Sequence, residues 1–253
     1  MYKKIIFLIG CTFSSHYGFS QNSSPTASNP APPKIITPDI NYRNQDFTAQ
    51  LSMIDPRTGR SFKNIYPDVN GFPFFIEDWK YSLIKLADGR KFDMIRTKLN
   101  LYTKELHFKT NNDVEMAFPG GYVREVNVYG SPESNNIIYK FKTGFPKIDN
   151  QDQNTYYQVL CTGKATLLKL TRKQITVNKN DLSGEVKKQF EAYEDYYVFS
   201  NEQMKSLKKE KKFILNTLSD KKDEIEVFVK KNTTNFKSVN DIADLFTYYN
   251  SLF

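Results

Sequence analysis

The sequence predicts an α+β protein: an antiparallel β-meander, as an open half-barrel or sandwich-like sheet, followed by a C-terminal bundle of about three short helices. Three observations carry this. Residues 74–129 alternate apolar and polar side chains in short runs separated by Asp-Gly, Asn-Asn and Gly-Gly pairs, the period-2 pattern of strands. Phe and Tyr raise the aromatic fraction to 15%, and aromatic rings suit strands. Beyond residue 200 the apolar spacing changes to i, i+3, i+4, i+7, the period of a helix.

Residues 1–20 read as a secretory signal peptide. Lys3 and Lys4 form its charged start, residues 5–13 its apolar stretch, and Gly18 and Ser20 the small residues before a cut at Gln21. The stretch is too short to span a membrane, and no other candidate span occurs. A competing reading takes Leu8-Ile9-Gly10-Cys11 as a lipobox, with lipid attached at Cys11. That would truncate an apolar stretch that normally runs about 7–15 residues, so cleavage before Gln21 is the favoured expectation. Residues 21–39 form a Pro/Ser-rich linker with little to bury, expected to be disordered.

The β-rich domain is expected over residues 40–199. Asp55-Pro56-Arg57-Thr58-Gly59 is a turn between two short strands, and Asn70-Gly71-Phe72-Pro73 turns the chain into the alternating run. Phe72, Phe74, Phe75 and Trp79 are read as core, with a carbohydrate or peptide platform as the sharper alternative. Asp88-Gly89 suits a two-residue hairpin turn of type I′. Strands follow at 92–101, 106–109, 114–118, 122–129, 137–143, 156–162 and 165–177. Residues 178–193 are charged and read as a loop, and 196–199 as a closing strand. The helical cap is expected over 200–253. Ser200-x-x-Gln203 resembles a capping box, residues 220–231 a second helix, and Ser238-x-x-Asp241 the start of a third.

Composition limits the chemistry. The formal charge is +8, and two of those charges are Lys3 and Lys4, leaving +6 beyond the leader. Hydrophobic and charged fractions of 39% and 25% are those of a globular protein. Cleavage before Gln21 would leave one cysteine, Cys161, and one histidine, His107. An intramolecular disulfide and a zinc site of the usual Cys/His type are then excluded for a monomer. A Cys161–His107 pair would need the fold to assemble it. Cys161 sits in an apolar run and reads as a core thiol, and His107 alternates with Leu106 and Phe108, so it is expected to face solvent or a strand neighbour. Glu77 and Asp78 are adjacent, so on a strand they point apart and cannot flank one glycosidic bond. Asp149, Asn150 and Asp152 lie in a polar loop whose spacing does not match a calcium-binding EF-hand. No phosphate-loop, dinucleotide, serine-hydrolase or zincin motif occurs, and no cofactor is expected.

The remaining surface candidates are Trp79 and the basic run at Lys208, Lys209, Lys211 and Lys212. The run lacks the arginine that pairs bidentately with phosphate, and acids follow it closely. A solvated helix face is therefore the plainer reading, and an export signal argues against nucleic acid.

Phe19-Ser20-Gln21, the block Gly71-Phe72-Pro73-Phe74 followed by Trp79, and Tyr248-Tyr249-Asn250-Ser251-Leu252 resemble exported proteins of Bacteroidota-type bacteria to which no activity is assigned. The resemblance implies a periplasmic or outer-membrane-associated address and brings no functional residue. The expected function is a non-catalytic binding or scaffold module of the envelope with a protein or polymer partner. The alternative is an exported hydrolase using Cys161 and His107 or distant carboxylates.

Overall fold

A computed structural model describes residues 66–253, apart from 110–112, 119, 134–135, 181 and 183. The expected leader, linker and first strands lie outside these residues. Among the described residues, eleven strands form one sheet. They are β1 (Val69–Asn70), β2 (Lys80–Leu86), β3 (Lys91–Asn100), β4 (Glu105–Lys109), β5 (Glu115–Ala117), β6 (Val123–Tyr129), β7 (Ile137–Lys142), β8 (Tyr157–Cys161), β9 (Ala165–Lys179), β10 (Val186–Ser200) and β11 (Gln203–Ser206). Three helices follow: α1 (Lys211–Thr217), α2 (Lys222–Asn232) and α3 (Val239–Asn250).

The lateral order is β1-β10-β9-β8-β7-β6-β2-β3-β4-β5, with β11 also beside β10. β1 pairs with β10 in parallel, and the other pairings are antiparallel. β2 to β5 neighbour one another in chain order, but β6 crosses back to pair with β2. The alternation of residues 74–129 marks which residues form strands and is silent on this crossing, because period 2 fixes faces and not neighbours.

Apolar residues from β2 to β7 converge in one cluster that includes Ile84, Leu99, Leu106, Phe108, Val126 and Phe141. Six flat strands would span roughly 24 Å, so sharing one core requires the sheet to curl. The far half of β9 meets the β3–β4 turn, where the Lys173 N–H donates to the Leu101 carbonyl at 3.3 Å. Lys173 Nζ also donates to the carbonyls of Phe72 and Phe74, at 2.7 and 2.9 Å.

The helices cover one face of β9 and β10. Ile214, Leu218, Ile225, Ile242, Leu245 and Phe246 pack on Ala165, Leu167 and Val198. The neighbouring residues Leu168, Leu170 and Tyr197 point to the opposite face, against Tyr157, Phe145 and Ile148. The Ser238 cap forms as expected: its side chain accepts from the Asp241 N–H, and Ile242, Leu245, Phe246 and Tyr249 are all buried. No helix among the described residues is long and apolar enough to cross a membrane.

Three local expectations are corrected. Residues 186–193, read as loop, belong to β10, which pairs with β9 along its whole length. The outer part of this hairpin buries little, with Val177 and Val186 exposed, so its strands carry no apolar alternation to read. The apparent capping box at Ser200 is instead a hairpin turn. Asn201 and Glu202 both take positive φ, as a type I′ turn requires, and Met204 joins the cluster beneath Tyr197 and Phe199. The first helix therefore starts at Lys211. At Asp88-Gly89 only Gly89 has positive φ, and the Leu86 N–H bonds to the Arg90 carbonyl, giving a three-residue loop in place of the I′ turn.

Candidate functional site

His107 lies at the centre of a charged patch on the face of β3–β5 opposite the core. Strand register sets Lys98 and Ala117 beside it, and Lys109 beside Glu115. The ring is fully buried under Phe74, which meets it edge-on at 5.6 Å. Nδ1 lies 2.9 Å from Glu115 Oε1, and Nε2 lies 3.8 Å from Glu105 Oε2. Burial alone would lower the imidazole pKa, but the hydrogen bonds and charges of Glu105 and Glu115 together outweigh it and raise the value. Glu105 is held below its ordinary value, first by its bond to His107.

The nearby cations are used in aromatic contacts. Lys98 Nζ stands 4.9 Å from the ring centres of both Phe74 and Trp79, and Lys109 Nζ 5.3 Å from Trp79. Burial lowers the Lys98 pKa against the pull of Glu115, Glu77 and Asp78. His107 was expected to face solvent or a strand neighbour. It faces a strand neighbour, and the chain before β2 folds over it, which strand periodicity does not reveal.

Cys161 ends β8 on the helix side of the sheet, where Asn250 Nδ2 approaches Sγ at 3.8 Å. Burial raises its thiol pKa. In the sheet β8 and β4 are separated by β7, β6, β2 and β3, so the fold does not bring Cys161 and His107 together. Glu77 and Asp78 also diverge. Asp78 borders one recess and Glu77 another, the latter between Phe72, Phe74, Lys98 and Phe190. In the Asp149–Asp152 loop, Asp149 accepts from Tyr197 Oη and Ser206 Oγ, and Asp152 from the Asn154 N–H, so these carboxylates brace a turn against β10 and β11. Among the described residues no cluster of three or more His, Cys, Asp or Glu side chains is arranged to hold a metal ion.

The chain matches no family model, no curated protein and no solved structure. Its chemistry is read from geometry alone.

Two recesses stand out. The first is walled by Phe75, Leu99, Leu106, Val126, Val128, Phe141 and Tyr156, with Asp78, Lys80 and Lys98 also on its lining. The second lies where the β3–β4 turn meets β9 and is bounded by Asn100, Lys104, Thr155, Thr171 and Arg172. Leu99 and Tyr156 line both. Burial, with the Glu105 charge adding, pushes the Tyr156 phenol well above its ordinary value, so it stays neutral.

The surface residues singled out in the sequence fall in two places. Trp79 is half-buried between Lys98 and Lys109. Lys208, Lys211 and Lys212 are exposed, while Lys209 is half-buried with Nζ 4.6 Å from the Tyr196 ring centre. These lysines follow β11 and enter α1, so they do not form the single helix face expected. Asn100 and Thr171 were missed. Asn100 carried a signal, since an Asn before Tyr102-Thr103 suits an Asx turn. Thr171 carried none.

Proposed function

We propose that this chain is a non-catalytic binding module whose curled sheet, a half-barrel in outline, holds a small apolar ligand between β2, β3, β4, β6 and β7. The observation that carries the reading is the apolar recess walled by Leu99, Leu106, Val126, Val128 and Phe141. Ligand sites are mostly apolar concavities with a few polar groups to orient the guest, and Asp78, Lys80 and Lys98 supply such groups. His107 and Cys161 are both engaged locally, the imidazole by Glu115 and the thiol by Asn250. The leader of residues 1–20 supports export to the envelope, where the module would act free or as a scaffold for an envelope partner.

Methyl-labelled protein titrated with octanol tests the binding reading without a mutation. Methyl signals of Leu99, Leu106, Val126 and Val128 should shift saturably, while those of Ile242 and Leu245 under the helices stay fixed. Absent or uniform shifts overturn the reading. The address is tested by the mass of the mature N-terminus from a cell-envelope fraction. Gln21 is expected, a diacylated Cys11 would replace cleavage with lipidation, and cytoplasmic retention would end the export reading.

A further inference from the structure

Asn100 is fully buried at the end of β3. Its Oδ1 accepts from the N–H groups of both Tyr102 and Thr103, at 3.0 Å each. Those two bonds settle the orientation of the amide, because only the oxygen can accept them. The atom left over is Nδ2, a donor, and it has no partner among the described residues. Thr171 Oγ, on β9, is buried and without a partner in the same way. Both residues line the second recess. Buried polar groups are almost always satisfied, by protein or by ordered water.

Size and bonding capacity define what fits there. The recess has room of about 20 Å³, and one water needs about 10–15 Å³. A buried water takes about 2–4 hydrogen bonds. Asn100 Nδ2 and the Thr171 hydroxyl supply two. Thr155 supplies a third: it lines the same recess, is buried, and gives its hydroxyl proton to Asp152 at 3.3 Å, which leaves its oxygen able to accept. Charge favours a neutral guest over an anion. Arg172 is paired with Asp195 through Nε and Nη2, Lys104 Nζ is exposed and donates to Gln151 Oε1 at 3.3 Å, and the negative charge of Glu105 reaches Tyr156 on the recess wall.

We propose that the second recess is a hydration site, in which one long-lived water accepts from Asn100 Nδ2, shares a hydrogen bond with Thr171 Oγ and donates to Thr155 Oγ. The water ties the β3–β4 turn to β9 and to the chain entering β8. It works beside the direct bond from the Lys173 N–H to the Leu101 carbonyl, as a second clasp on the seam where the curled sheet meets itself.

Hydration NMR reads the site directly and without a mutation. The side-chain NH₂ of Asn100 should show a nuclear Overhauser effect to water with the sign of a molecule that tumbles with the protein, and that of exposed Asn201 should not. An Asn100 amide that behaves like the Asn201 amide would overturn the proposal. Thr171→Val keeps the branched shape of the side chain and removes the hydroxyl, whereas Thr171→Ser retains the hydroxyl. Oxygen-17 relaxation dispersion should show the residence time of one water shortened about fivefold in Thr171→Val, the scale of one neutral hydrogen bond, and little changed in Thr171→Ser. Equal residence times in the two variants would overturn the bridge to β9. Titration with sodium bromide should leave the Asn100 side-chain amide in place. A saturable shift there would make the recess an anion site and overturn the water.

Discussion

Replacing His107 by Gln should expose how much of the folding free energy the buried charge patch holds. The imidazole is fully buried, and its two nitrogens face Glu115 at 2.9 Å and Glu105 at 3.8 Å, with Lys98 beside it and Phe74 above. Removing the cation deprives Glu115 of a short charged bond and leaves two carboxylates facing each other across a neutral amide. A hydrogen bond to a charged group contributes about 1.5–3 kcal/mol, and breaking a buried pair costs about 3–5. Because the Glu105 contact is long and that residue is partly exposed, the lower end applies, about 3 kcal/mol. The pKa of His107 is raised on folding, so the stabilisation is fully present below the unfolded value of about 6.5 and is lost as pH rises through the higher folded value. The penalty of His107→Gln should therefore be largest below about pH 6.5 and shrink as pH rises through the higher folded value. Urea unfolding of both proteins across that range, with unchanged m-values, measures it. A penalty equally large at both ends would refute the charged imidazole, and one near zero everywhere would refute the network.

Other outcomes follow from the helix–sheet junction and the surface. Asn250 Oδ1 accepts from the Ala165 N–H and its Nδ2 donates to the Ala165 carbonyl, so Asn250→Ala should cost about 2 kcal/mol in urea unfolding. A Cβ on Gly163 would stand 2.3 Å from Asn250 Cγ and 2.6 Å from its Cβ at a φ of +155°, so Gly163→Ala should destabilise the wild type strongly and an Asn250→Gly background less. Additive penalties would show that the two residues do not collide. Cys161, its thiol pKa raised by burial, should react with a colourimetric disulfide reagent far more slowly in the folded than in the urea-unfolded chain; equal rates would contradict its place beneath α3. Changing Lys208, Lys209, Lys211 and Lys212 to Gln should leave affinity for anionic vesicles unchanged, and a clear loss would make that turn an anion-binding surface.

What could be read in advance depended on burial. The strands around Ile84, Leu106 and Val126 alternate because one face is core, and the stripe Ile242, Leu245, Phe246, Tyr249 repeats because one side of α3 is buried. The outer half of the β9–β10 hairpin lacks such a face, so its charged residues looked like loop. Ser200-Asn201-Glu202-Gln203 carried the spacing of a capping box, and pairing of Phe199 with Met204 across it makes it a hairpin turn instead. Met94 takes a positive φ inside β3, where the register against β2 shifts, and nothing nearby in sequence announces it. The recesses were out of reach for a similar reason. Asn100 and Thr171 are far apart in the chain and meet only because the sheet curls, and the burial of His107 depends on where Phe74 comes to rest.

The seam between β1 and β10 has a consequence for how the chain matures. Val69 pairs with Lys188, and the next stretch of chain bridges from Phe74 to Asn100. The first described strand therefore has no partner until almost the whole sheet has been synthesised. Contacts of such sequence separation are costly to close and slow to form. A nascent chain shortened before β9 would keep Phe72 and Phe74 without the Lys173 and Phe190 that hold and flank them. Such a chain leaves β1 unpaired, and β10, one of the last strands to emerge, acts as the latch that closes the sheet.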